Sequence, residues 1–199
     1  MNQALTDEGY IDYYAILGLG RDAKPGEVRK EYRRRMKDLV YEIGETEITE
    51  EKRAFYLLEM AKLNAAFYIL GNANRREAYT SERDSLIALE QRWRTAVDEH
   101  SAEADALRRE FDRRIRGFLS KYIEEAMLDA GRDRECVEAS NWNEAHERHA
   151  SRILRHYRQS LYQKVLERLP FVEVTPPNID WSERTETVQS ILSEMMRNA

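Results

Sequence analysis

The chain is predicted to be all-α, with a helical hairpin unit followed by an antiparallel helical bundle. Three observations predict it. Apolar residues recur in steps of three and four along most of the 199 residues. Turn formers are scarce, with eight Gly and four Pro. Charged residues make up 35% and apolar residues 42%, the balance of amphipathic helices with solvated outer faces.

Residues 1–10 are polar without periodicity and are expected to form a flexible lead-in. Ile11 to Leu17 reads as a short helix ended by Gly18, which tolerates the left-handed cap conformation. The second helix opens at Pro25, with Glu27 in the first turn where a carboxylate meets the positive end of the helix dipole. Its apolar stripe is Val28, Tyr32, Met36, Leu39 and Ile43. A third helix is predicted from Thr49 to Leu70, with Phe55, Leu58, Leu63, Phe67 and Leu70 buried and Gly71-Asn72 as the stop. Helices two and three should pack antiparallel across the acidic connection from Gly44 to Glu51.

Beyond residue 81 the periodicity splits into helices over about 82–99 and 102–130, with Ser101 as the expected N-cap of the latter. Gly131-Arg132-Asp133 breaks the run. A last long helix is expected over 141–169, capped by Ser140 and ended by Pro170, with Trp142, Ala145, His149, Ile153, Tyr157, Leu161 and Val165 along one face. Short connections between these helices imply a bundle or hairpin over residues 82–170. In residues 171–199, Pro176-Pro177 forces an extended segment, and Ser182 to Met196 reads as a short helix. Trp93 and Trp142 are assigned to the core, and Trp181 is the candidate anchor of the tail.

Several function classes lose support at this level. No run approaches the ~18 apolar residues of a membrane span, and the first residues carry no basic-then-apolar targeting pattern. One cysteine, Cys136, cannot make an internal disulfide, which fits a reducing cytoplasm, so a cytoplasmic location is expected. A net charge of −5 argues against nucleic acid as the main partner, although Arg33-Arg34-Arg35 is a local exception. Gly-rich phosphate loops, nucleophile elbows and paired Cys-x-x-Cys motifs are missing from the sequence, so neither catalysis nor a cofactor is expected. His146, His149 and His156 share one stretch of a predicted helix, but their spacing lacks a metalloprotease pattern. They are read as ordinary polar residues, and no metal is expected.

The informative residues lie between Asp12 and Thr80. Asp12-Tyr13-Tyr14-Ala15-Ile16-Leu17-Gly18-Leu19 opens the stretch, and Val28-Arg29-Lys30-Glu31-Tyr32-Arg33 comes next. Leu63-Asn64-Ala65-Ala66-Phe67-Tyr68-Ile69-Leu70 and Arg75-Arg76-Glu77-Ala78-Tyr79 close it. This order and spacing resemble the J domain of the DnaJ (Hsp40) co-chaperone family, which assigns residues 11–81 to a J-like unit. The resemblance implies that the basic face of the second helix, with Arg29, Lys30, Arg33, Arg34 and Lys37, docks on an acidic partner such as Hsp70. It also implies an apolar residue where Arg35 stands.

In that family a His-Pro-Asp after the second helix triggers ATP hydrolysis by Hsp70. Here the corresponding positions hold Val40, Tyr41 and Glu42, which supply neither the proline turn nor the imidazole. Leu39 and Ile43 continue the apolar stripe, so the helix is predicted to run straight through them. The expected function is therefore a non-catalytic protein-binding adaptor or assembly factor that does not stimulate Hsp70. The alternative is a structural subunit of a multi-protein complex with no Hsp70 link. The oligomeric state is left open.

Overall fold

A computed structural model describes residues 10–44 and 48–169, together with Thr185 and Val188. The expected lead-in (save Tyr10), the Pro176-Pro177 segment and Trp181 lie outside the described residues. So does the expected Ser182–Met196 helix, except for Thr185 and Val188, which are helical.

The described residues are predominantly helical and contain no strand. Helix α1 (Tyr13–Leu17) starts at Asp12, whose Oδ1 accepts from the Tyr14 and Ala15 amides at 3.0 and 3.1 Å. It ends at Gly18, in the left-handed conformation at φ 68°. Helix α2 (Pro25–Ile43) buries Val28, Tyr32 and Met36, while Leu39 and Ile43 sit at the core edge. Thr49 caps helix α3 (Glu50–Leu70) by accepting from the Lys52 amide at 3.3 Å.

Helix α3 is the axis of the molecule. It packs against α1, α2 and four later helices, so from Leu57 onward it is buried on nearly every side, including Met60, Ala61, Asn64, Ala65, Ala66 and Ile69. The sequence stripe correctly contains Leu63, Phe67 and Leu70. Phe55, however, is 56% exposed, because it precedes the part of α3 that other helices surround.

Helix α4 (Ala73–Asp98) is a single helix capped by Asn72, and it runs unbroken past residues 81–82. Sequence periodicity places its start near residue 82. The Asn72 cap sits almost ten residues earlier, because Tyr79 and Leu86 form one buried face with Leu89 and Trp93. A tight turn, with His100 at φ 53°, leads to α5 (Ala104–Leu119). There Ser101 Oγ accepts from the Glu103 amide at 3.3 Å, so the expected cap works one turn early. The helix then widens to a π-helical segment over Ser120–Glu125 and continues as α6 (Ala126–Ala130).

Two corrections concern the next stretch. Residues 134–140 form a separate helix, α7 (Arg134–Ser140), capped by Asp133 Oδ1, which accepts from the Glu135 and Cys136 amides. Ser140 caps nothing. It is buried, and the last helix, α8 (Glu144–Arg168), is capped by Asn143. The stripe of α8 also turns: Ala150, Leu154, Leu161 and Val165 are buried, Ile153 and Tyr157 lie at the edge, and Ala145 and His149 face solvent.

Apolar side chains from α1 through α8 form one continuous core. Tyr13 of α1 donates to the Tyr122 carbonyl in the π-helical segment, and Tyr79 of α4 donates to the Ile11 carbonyl at 2.7 Å. Arg83 of α4 reaches Asp12 at 3.1 Å, so the residue that caps α1 is itself held by a nearly buried charge. Trp142 packs so closely on Gly131 that a Cβ there would lie 2.7 Å from the indole nitrogen.

Candidate functional site

The candidate site is the outer face of α2. Its helical register divides the basic residues into two groups. Arg29 and Arg33 lie four residues apart on the flank beside α7, whereas Lys30, Arg34 and Lys37 lie on the side opposite Val28, Tyr32 and Met36. Sequence spacing groups Arg29, Arg33 and Lys37 as one row. Contacts with α7 separate the first two from the third.

Glu135 is the residue that separates them. Arg29 grips it with two bonds, Nε to Oε1 at 3.0 Å and Nη2 to Oε2 at 3.2 Å, and Arg33 Nη2 approaches Oε1 at 3.4 Å. The Arg29 guanidinium also lies 5.9 Å from the centre of the Phe67 ring. All three charged side chains remain substantially exposed, so the pairing fixes geometry more than it adds stability, about 1 kcal/mol or less.

What places Glu135 there is buried. Tyr32 donates to Asn64 Oδ1 at 2.8 Å, and Asn64 Nδ2 donates to Ser140 Oγ at 3.2 Å. Ser140 donates to the Cys136 carbonyl at 2.7 Å, and the Cys136 thiol points at the Asn64 carbonyl at 3.6 Å. Tyr32, Asn64, Cys136 and Ser140 are all shut off from solvent, so this chain of polar contacts stitches α7 to the α2–α3 pair. Burial raises the Cys136 thiol well above its ordinary range, with the Asp133 carboxylate adding to the effect. That leaves an inert thiol rather than a nucleophile.

Arg35 answers a question the sequence posed. Its side chain turns inward, and Nη1 donates to the Ile16 carbonyl at 3.1 Å at the end of α1. The cation thus meets the negative end of a helix while its stem covers the core rim. Arg33-Arg34-Arg35 is consequently not one basic surface. Arg33 faces Glu135, Arg34 pairs with Glu31 at 2.8 Å, and Arg35 faces the interior.

Val40, Tyr41 and Glu42 belong to the last turns of α2, which ends at Gly44. Tyr41 is 70% exposed. Glu42 accepts from the Tyr56 hydroxyl at 3.1 Å, which ties the end of α2 to the start of α3.

The histidines of α8 resolve as structure. His146 lies beside the Trp142 ring, and its Nδ1 accepts from the Asn143 amide at 3.1 Å, completing the reciprocal cap of the helix. Burial lowers its pKa, with help from the Arg53 and His149 charges. Among the described residues, no three of His, Cys, Asp and Glu converge as a metal site would require. No described helix is long and apolar enough to cross a membrane.

Sequence reasoning missed Glu135 and Asn64. Asp133 followed by Glu135 is a fair N-cap signal for α7, but seven residues are too few to show periodicity. Asn64 has no sequence signature, because its partners come from α2 and α7.

Comparison with known proteins bears on the opening helices. The chain is 31% identical over 75 residues to the chaperone protein DnaJ 2 of Streptomyces avermitilis and to that of Streptomyces coelicolor. It is 37% identical over 68 residues to the chaperone protein DnaJ of Hydrogenobacter thermophilus. Part of this chain is J-domain-like. The aligned stretches cover 38% and 34% of the chain, but only 18% and 17% of those relatives. No family model matches the chain, and no solved structure does.

Proposed function

We propose that this chain is a J-like protein that binds other proteins as an adaptor or assembly factor and does not drive an Hsp70 ATPase cycle. One observation carries the reading: the positions that correspond to His-Pro-Asp are helical residues of α2, and an exposed tyrosine stands in their midst. A helix holds Glu42 against Tyr56 instead of projecting a carboxylate from a turn. The similarity to DnaJ proteins supports a co-chaperone-like role with protein partners, and a cytoplasmic location accords with it.

A single-turnover measurement tests this. The full chain, added in excess to a bacterial Hsp70 loaded with ATP, is expected to leave the hydrolysis rate unchanged. Acceleration of about tenfold or more would overturn the proposal.

A second reading, a structural subunit without any Hsp70 link, is favoured by the Glu135 contacts, which engage part of the basic flank internally. A pull-down with purified Hsp70 separates the two. Binding that disappears on charge reversal of Arg29, Arg33 and Lys37 supports the chaperone-linked reading, and absence of binding by the wild type supports the structural one.

A further inference from the structure

Resting on the adaptor reading above, we propose that the surface met by an acidic protein partner is the stripe Lys30–Arg34–Lys37–Tyr41, with Arg29 and Arg33 withdrawn from it by α7. The four residues succeed one another in steps of four, three and four, so they form one continuous ridge along α2. All four are exposed. Tyr41 lies half a turn round the helix from the fully buried Tyr32, and so projects straight into solvent.

Charge and shape select the partner. Three cations in a row, one of them steadied by Glu31, match a row of carboxylates. A large aromatic at the end of that row is the usual anchor of an interface, because burying a tyrosine costs little conformational entropy and gains much contact area. The partner is therefore an acidic protein surface with an apolar recess beside its carboxylates. On the neighbouring flank Glu135 already supplies the carboxylate that such a partner would offer to Arg29 and Arg33. A partner approaching that flank meets a like charge on a helix anchored from beneath by Asn64, Cys136 and Ser140.

Two labelled probes test the stripe by fluorescence anisotropy with the full chain: an oligoglutamate peptide and an amphipathic helical peptide of Glu and Leu. Lys30→Gln/Lys37→Gln and Arg29→Gln/Arg33→Gln remove equal charge, so only position distinguishes them. The first pair is expected to weaken both probes about tenfold and the second less than about threefold. Tyr41→Ser is expected to weaken the Glu/Leu peptide about fivefold while leaving oligoglutamate unchanged. Glu135→Gln should bring the flank into play, so that adding Arg29→Gln/Arg33→Gln then costs as much as the stripe pair. Equal losses for the two pairs in the wild-type background, a larger loss on the flank, or no binding of either probe would overturn the proposal. All the substituted residues are solvent-facing, and thermal melts confirm that each variant folds. Failure of the Hsp70 reading is registered separately, in the pull-down, which uses neither peptide.

Discussion

Asn64 is the residue where the economy of this molecule is most visible. It lies in the most crowded part of α3 with no exposed surface, and its amide accepts from Tyr32 and donates to Ser140. A buried amide survives only when both ends are satisfied, and here each partner comes from a different helix. Asn64→Ala would leave the Tyr32 hydroxyl and Ser140 without that partner. It should lower stability by about 2–4 kcal/mol, read as a shift of the urea midpoint at constant slope. A change below about 0.5 kcal/mol would mean that the network does not hold α7 in place. Glu135 shows the opposite economy: its exposed bonds add little energy, yet they decide which arginines of α2 remain available.

At the scale of elements, the start of α8 responds to pH. His146 accepts the Asn143 amide through Nδ1, a bond only the neutral ring can make. Burial lowers its pKa from the ordinary 6.5, so folding favours the uncharged form. The stabilisation is therefore fully present above about pH 6.5 and is lost as the pH falls through and below that value. His146→Gln keeps an acceptor suited to this capping position but removes the titration. Thermal melts of the wild type should fall between about pH 7 and 5 by more than those of the variant. Identical pH profiles would show that the ring contributes nothing to the cap. Gly131 marks another element boundary, since an added Cβ would press on the Trp142 indole at 2.7 Å. Gly131→Ala is expected to cost about 1–3 kcal/mol in chemical denaturation, and a neutral outcome would show that the indole can shift.

For the whole molecule, the J-like stretch leans on the later helices. Tyr13 donates to Tyr122, Tyr79 packs against Phe118 and Tyr122, and Tyr32 shares its buried network with α7. We propose residues 11–81 as the unit that resembles a J domain, and its boundary falls within the unbroken α4. A fragment ending at residue 81 loses those partners and exposes their apolar faces. It should melt at least about 10 °C below the full chain, or without a cooperative transition, when monitored by circular dichroism. Cooperative melting at the temperature of the full chain would show that α5 to α8 do not support it.

Much of the fold was legible because local signals carried it. Pro25 and Gly18 bound their helices, Val28, Tyr32 and Met36 form one buried row, and Leu39 and Ile43 keep α2 helical through Val40–Glu42. These depend on neighbours three or four residues away, within reach of a single helical turn. The wrong placements at Phe55, Ser140, His149 and the start of α4 share a cause. Amphipathic spacing says that a face is buried but not where along the helix burial begins, and a serine reads as a cap whether it faces an amide or a distant asparagine. By itself, the sequence determined that the chain is helical, that it resembles a J domain, and that Val40, Tyr41 and Glu42 replace the trigger residues. Only tertiary structure decided that α7 rests on α2, with Glu135 on Arg29 and Arg33 and Asn64 beneath. Those contacts join residues 76 to 106 positions apart, and no local propensity encodes a pairing at that distance.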